Sequence, residues 1–201
     1  MPQLNEDLKT KWQAMMKDSL HQAVAKILFE EGLQGLTMEH ISETAGMAKG
    51  TIYNYFKDKE ELLQYVVESS IEPLEKRHNL IFSSAEPPIK KLEQFIFSSL
   101  SYFDENKSFF RVMFDPELSG LKKSPKKKDK QQQLIKKVGE VIEDGIRVGV
   151  IKPAPPLKLS AILVMSCVGI TISRLWSDDE RDIKEDAKLV MDTFLKGAAK
   201  R

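Results

Sequence analysis

Residues 33–61 read LQGLTMEHISETAGMAKGTIYNYFKDKEE, and this stretch predicts two short helices joined by a tight turn. Thr37 can cap the first helix, because its hydroxyl can accept a hydrogen bond from a backbone N–H that has no partner within the helix. Ile41 and Ala45 lie four residues apart and therefore share one face of that helix. Gly46 suits the turn, since glycine adopts the backbone conformations that tight turns need.

The second short helix, which begins near Lys49, is predicted to have one apolar side and one polar side. Ile52 and Phe56 lie four residues apart and give it a stripe to bury. The positions that this stripe turns outward carry a lysine, hydroxyls, an amide and phenols, namely Lys49, Thr51, Tyr53, Asn54 and Tyr55. A helix with such a face, set across a partner helix after a short turn, fits the major groove of DNA. The stretch therefore predicts a DNA-binding helix-turn-helix.

The positions of these side chains predict two kinds of DNA contact. The predicted base readers are Lys49, Thr51 and Asn54. Lysine can reach guanine O6 or N7, threonine can meet a thymine methyl, and asparagine can pair with adenine N6 and N7. The predicted phosphate contacts, which flank the centre of the outward face, are Tyr53, Tyr55 and Lys59. Two residues at the start of the first short helix complete the predicted DNA-binding set, Thr37 and Met38.

At these residues the chain resembles the TetR (tetracycline-repressor-like) family of one-component transcriptional regulators. The resemblance covers residues 17–64, and its most specific part is the ordered run from Thr37 to Lys59. In the preceding helix it is carried by Ala23, Leu28, Phe29 and Gly32. It implies an N-terminal three-helix DNA-binding domain, a larger all-helical domain that binds a small molecule, and a homodimer whose ligand state alters its affinity for an operator. We expect an all-α fold with a helix-turn-helix domain at residues 1–60 and a ligand-binding and dimerisation domain at residues 61–201.

The rest of the chain also has the hydrophobic spacing of helices, without the alternation that predicts strands. Asp58 can cap a fourth helix while Glu61 reaches back from three residues later. Residues 119–133 contain six lysines and almost no apolar side chain, which predicts a solvated loop before a helix over residues 134–148. A second nucleic-acid patch is the less favoured alternative for this loop, because it lies far in sequence from the helix-turn-helix.

Composition indicates a protein of the cytoplasm. The single cysteine, Cys167, excludes a disulfide within the chain, and no uninterrupted apolar run reaches the ~18 residues that a membrane span needs. The N-terminus lacks the pattern of a signal segment. The net charge is +1, and residues 1–60 contain seven lysines, no arginine and nine acidic residues, which sum to −2. We therefore expect modest affinity for non-specific DNA, since a broadly basic surface is missing.

The last two predicted helices, residues 157–176 and 180–196, carry stripes that we expect to form a dimer. In the first, small and apolar side chains recur at three- and four-residue steps: Leu159, Ile162, Ser166, Gly169 and Ser173. The second has an apolar face made of Ile183, Ala187, Val190 and Phe194. Two such helices and their symmetry mates would make a four-helix bundle. The alternative is that both stripes close the core of a single chain.

The middle of the body is rich in aromatic and sulfur-containing side chains, which could line a cavity for an apolar or aromatic effector. The predicted lining residues are Phe95, Ser99, Tyr102, Phe103, Phe110, Met113, Phe114, Met165, Cys167 and Arg174. The alternative is a fully packed helical core.

Enzymatic activity is not predicted. The three histidines, His21, His40 and His78, lack the spacing of metal ligands, and no cofactor is expected. The predicted partners are a double-stranded operator, a small effector and a second copy of the chain, with no membrane. The second hypothesis is a helical adaptor that binds a protein or lipid without recognising an operator, and the net acidity of residues 1–60 supports it.

Overall fold

The computed structural model of the protein describes residues 3–113, 125–177 and 181–198. Within these ranges the regular structure is helical and contains no β-strand, which confirms the predicted all-α class. The helices of the N-terminal part are α1 (Gln3–Glu31), α2 (Met38–Thr44), α3 (Lys49–Tyr53) and α4 (Lys59–Ser83). Those that follow are α5 (Pro88–Glu105), α6 (Lys107–Met113), α7 (Pro125–Arg147), α8 (Pro156–Trp176) and α9 (Ile183–Ala198).

The described residues form two compact units, and the chain passes from the first to the second within α4, between Glu72 and Pro73. This position lies later in the chain than the boundary predicted after residue 60. The first unit also includes residues 111–113. Its core is formed by side chains from α1 to the start of α4, among them Leu20, Val24, Ile27, Ile41, Ile52, Phe56 and Leu62.

The start of α4 has the predicted Asp58 cap, while the Glu61 side chain reaches one residue further back than Asp58, to Lys57. The Asp58 carboxylate accepts a hydrogen bond from the Glu61 N–H at 2.8 Å. The Glu61 carboxylate in turn accepts one from the Lys57 N–H at 2.8 Å. Two backbone donors that the helix itself cannot satisfy are thus bonded, so the helix has a defined first turn.

The second unit is a bundle in which α5 packs against α7, α8 and α9, and α7 packs against α8. Its core is a continuous cluster of buried side chains that includes Leu92, Phe95, Ile96, Val138, Ile142, Leu163, Cys167, Val190 and Phe194. Among the described helices, α8 alone is long and apolar enough to cross a membrane, with a mean hydropathy of 1.7, and 39% of that window is buried. Core helices pass the same test, and α8 contributes Leu163, Val164 and Cys167 to the core.

The predicted loop at residues 119–133 is wrong from residue 125 onward, because α7 begins at Pro125. Proline is well tolerated in the first turn of a helix, and lysine and glutamine are good helix formers. Lys130 forms an ion pair with Glu75 of α4 at 3.0 Å, and Lys137 donates to the side chain of Asn79 at 2.6 Å. The side chains of residues 129–133 are exposed, and the same helix is buried further on, at Val138. Residues 119–124 lie outside the described residues.

A buried cluster of charged groups joins α5, α8 and α9. The Arg174 guanidinium donates to Asp104 at 3.0 Å and to Asp186 at 2.8 Å. It also donates to the backbone carbonyl of Arg181 at 3.1 Å. Arg174 and Asp186 are 7% and 3% exposed, so their pairing offsets the cost of removing two charges from water.

Replacing Asp186 with alanine should lower the free energy of unfolding by about 3 kcal/mol, because the Arg174 guanidinium would stay buried with fewer partners. Urea unfolding followed by circular dichroism measures the change. The control is Glu93→Ala, which breaks a surface ion pair in which the Glu93 carboxylate and the Lys90 ammonium lie 3.0 Å apart. That variant should lose less than about 1 kcal/mol. Equal losses in the two variants would contradict the role given to the cluster.

Candidate nucleic-acid interface

The turn between α2 and α3 is fixed by local hydrogen bonds and by one glycine. The Thr37 hydroxyl accepts a hydrogen bond from the His40 N–H at 3.1 Å, which is the predicted cap of α2. At the other end, Gly46 has a φ of +65°, in the left-handed region that favours glycine. The Met47 N–H then donates to the Ser42 carbonyl at 2.9 Å, which closes the turn before α3 begins at Lys49.

Burial of two side chains determines which face of α3 is exposed. Ile52 and Phe56 are 0% and 5% exposed and pack into the core of the first unit. The predicted DNA contacts on the opposite side are exposed in the structure, with Thr51 half-buried: Lys49, Tyr53, Asn54, Tyr55 and Lys59. α3 ends at Tyr53, so Asn54 and Tyr55 follow the helix, and the Asn54 N–H still donates to the Gly50 carbonyl.

One predicted DNA contact is wrong. Met38 is 7% exposed, because the first turn of α2 points it into the core of the first unit. Its place in the sequence beside the capping Thr37 did not reveal this direction. Met38 thus packs in the core beneath the exposed residues of the interface, while the neighbouring Thr37 is exposed.

An ion pair on the candidate interface was not found from the sequence. The Lys49 ammonium donates to the carboxylate of Glu39 in the first turn of α2. It also lies 5.8 Å from the centre of the Tyr53 ring. The hydrogen bond from Lys49 lowers the pKa of the Glu39 carboxyl, and the bond to Glu39 raises the pKa of Lys49. The two residues are ten positions apart and meet only because the turn folds α3 back across α2, so helical spacing gives no signal for them.

Residues 22–66 match the family model described as "Bacterial regulatory proteins, tetR family". The chain is 26% identical over 145 residues to the HTH-type transcriptional repressor KstR2 of Mycolicibacterium smegmatis, which covers 70% of this chain and 69% of the relative. It has the fold of a TetR transcription regulator from Haloarcula marismortui, with a TM-score of 0.76, 17% identity and coverage of 92% and 98% of the two chains. The ketosteroid transcriptional regulator KstR2 of Mycobacterium tuberculosis gives a TM-score of 0.68, 20% identity and coverage of 92% and 95%.

The chain resembles the TetR family, whose model it matches over residues 22–66. Like its relatives, it is a DNA-binding transcriptional regulator and not an enzyme. The adaptor hypothesis is accordingly not favoured.

The predicted effector-lining residues do not surround one cavity. Phe95 and Cys167 lie in the packed core of the second unit, and burial raises the pKa of the Cys167 thiol to about 12. The Ser99 hydroxyl is bonded to the buried His78 ring at 3.0 Å. Met165 is 50% exposed on the outer side of α8, so its place in an internal lining is wrong.

The other predicted lining residues divide between an aromatic cluster and a cleft. The rings of Tyr102 and Phe103 lie 6.1 and 4.6 Å from that of Phe110, measured between centres. Phe103 and Arg174 line a cleft with Leu100, Asp104, Lys107, Thr171 and Leu175. The cleft offers about 10 Å³, roughly the room that one water needs. The side chain of Met113 and the whole of Phe114 lie outside the described residues.

The predicted dimer stripes have different outcomes on the two helices. In α8, Leu159 is half-buried and the remaining four residues are exposed: Ile162, Ser166, Gly169 and Ser173. In α9, the stripe faces the core of its own chain, where Ala187, Val190 and Phe194 are buried and Ile183 packs against them. The α9 residues are therefore wrong as dimer contacts, because one apolar face cannot fill its own core and also meet a second chain.

Asn54→Ala and Lys59→Ala should weaken DNA binding in different ways. Loss of the Asn54 amide should relax discrimination at one base pair by ~1–3 kcal/mol, because bidentate pairing with adenine would be lost. Loss of the Lys59 charge should weaken binding to all sequences alike and lower the salt slope by about one. Fluorescence anisotropy with duplexes enriched from a random library, at several salt concentrations, measures both. A uniform loss in the Asn54 variant would instead make it a phosphate contact.

Proposed function

We propose that this cytoplasmic TetR-family regulator binds a palindromic operator as a homodimer, represses transcription there, and is released by a small apolar effector. The observation that carries the proposal is the exposed polar face of α3 and the residues after it, held outward by the buried Ile52 and Phe56. Lys49, Thr51 and Asn54 read bases from this face. Tyr53, Tyr55 and Lys59 contact phosphates, as does the exposed Thr37.

The outer side of α8 supports the homodimer. It exposes large apolar side chains, with Ile162, Met165 and Ile172 at 59%, 50% and 41%. Gly169 lies on this side, and apart from its chain neighbours and the backbone of its own helix no heavy atom comes within 4 Å of the position that a Cβ would take there. A small residue beside exposed apolar ones lets a second helix approach closely. A two-fold dimer in turn accounts for a palindromic operator, because each copy would read one half-site.

The cleft between α5 and α8 is the proposed point of entry for the effector. Its apolar side is formed by Leu100, Phe103 and Leu175, and its polar groups include Thr171 and Arg174. Because it has room for about one water, an effector must separate the two helices and therefore selects an open state. A 100-fold change in operator affinity needs a coupling of ~2.7 kcal/mol. The name of one relative, a ketosteroid transcriptional regulator, also connects it with apolar compounds.

Ile162→Glu should convert the dimer into a monomer, because each copy would bury a charge without water in the proposed interface. The control is Val148→Glu, which puts the same charge at a side chain that is 61% exposed after the end of α7. Sedimentation velocity should give half the wild-type mass for Ile162→Glu only, with operator affinity lowered at least ~100-fold by the loss of the second half-site. A wild-type monomer, or a dimeric Ile162→Glu variant, would overturn the dimer proposal.

An apolar effector should raise the melting temperature and lower operator affinity together, since both follow from binding to one state. A library that includes steroids and long-chain acyl compounds is screened by thermal shift, and each hit is tested by anisotropy on the enriched duplex. Thr171→Leu fills the polar side of the cleft and should abolish the response while the protein still binds DNA. Hits that leave DNA affinity unchanged would contradict an effector role.

A further inference from the structure

We propose that Glu39 is a specificity-determining residue of the DNA interface: it withholds Lys49 from non-specific DNA and releases it at a G·C pair. The proposal rests on the proposed function in one respect, that the exposed side of α3 meets the operator.

The geometry places the two side chains as one unit on the interface. Glu39 is in the first turn of α2 and Lys49 is the first residue of α3, and their side chains are 54% and 53% exposed. The ammonium already donates to the Glu39 carboxylate in the free protein. The centre of the Tyr53 ring lies 5.8 Å from the same ammonium. The charge of Lys49 is therefore balanced by Glu39 at the surface.

The charges around the interface make this pairing matter. The lysines near α3 are Lys49, Lys57 and Lys59, and residues 1–60 have a net charge of −2. Lys57 lies 3.8 Å from the Asp58 carboxylate. Non-specific affinity comes from lysines and arginines that neutralise phosphates and release counterions. A lysine already neutralised by Glu39 contributes little to that term, and the carboxylate itself is repelled by the phosphates.

On non-specific DNA, Lys49 can reach a phosphate only by leaving Glu39 unpaired beside a polyanion. An exposed ion pair is weak in water, but the negative potential of DNA raises the cost of separating this one. Binding through Lys49 thus brings little net gain at a phosphate. It brings a gain where the DNA offers an acceptor to the lysine and a donor to the carboxylate at the same time.

The major-groove edge of a G·C pair presents both an acceptor for the lysine and a donor for the carboxylate. Guanine presents N7 and O6 side by side as acceptors, and the N4 amino group of cytosine follows as a donor. Lys49 can then bond guanine while Glu39 accepts from cytosine, and the two remain adjacent. An A·T pair presents acceptor, donor and acceptor in turn, so the ammonium finds no two adjacent acceptors. The Glu39–Lys49 pair therefore selects G·C at the base pair that Lys49 meets.

The test compares Glu39→Gln with Glu43→Gln, which removes the same charge from an exposed position four residues later on α2. The probes are a duplex enriched from a random library by the wild-type protein and a shuffled duplex of equal composition. Glu39→Gln should bind the shuffled duplex about 10-fold more tightly, with a salt slope steeper by about one, because Lys49 becomes a free cation. Its affinity for the enriched duplex should change less than about two-fold, so the specificity ratio falls. Glu43→Gln should tighten both duplexes equally.

Two further measurements separate the possible failures. In a Lys49→Ala background, Glu39→Gln should act as Glu43→Gln does, tightening both duplexes equally and leaving the specificity ratio unchanged. Enrichment with Glu39→Gln should lose a G·C position that the wild type selects. Equal specificity ratios in the two glutamine variants, or an unchanged enriched sequence, would overturn the role of Glu39 and leave the regulator proposal standing. A wild-type protein that enriches no sequence would overturn both proposals.

Discussion

Burial of Ile52 and Phe56 is the constraint on which the DNA-binding face depends. α3 has five residues, and a helix so short has almost no stability of its own in water. Its conformation and its rotation about its axis are therefore set by the core of the first unit. Because Ile52 is fully buried, the positions on the other side of the helical turn, Lys49, Tyr53 and Asn54, face solvent. The same burial brings α3 against α2, which is what allows Lys49 to meet Glu39.

The interface has few positive charges, and this shapes how it can work. A protein rich in lysine and arginine binds any DNA tightly and must gain specificity on top of that affinity. Here the first sixty residues are slightly acidic, and Glu39 balances one of the lysines near α3. Weak non-specific binding increases the share of the total affinity that base contacts supply. The acidity that supports an adaptor is thus equally compatible with a discriminating DNA reader.

The features that the sequence predicts correctly are those governed by neighbouring residues. The Thr37 cap, the Gly46 turn and the Asp58–Glu61 cap each depend on groups a few positions apart. The errors arise where a distant element decides. Met38 turns inward into the core of the first unit, and the α9 stripe fills the core of its own chain. The partners of Arg174, Asp104 and Asp186, also lie on other helices and have no signal in the sequence. The Lys130–Glu75 pair likewise joins parts of the chain that spacing does not relate.

Helix α8 has opposite demands on its two sides. Its inner side carries Cys167 and Leu163 into the core, and near its end Arg174 is fixed by carboxylates from α5 and α9. Its outer side leaves Ile162 and Met165 exposed to water. Burying their apolar surface against a second chain would stabilise the dimer by about 25 cal/mol for each Å² removed from water. The cleft beside Arg174 and the proposed dimer face thus belong to one rigid element. Any guest that shifts α8 to enlarge the cleft must also move the dimer face, so the effector needs no long path to reach it.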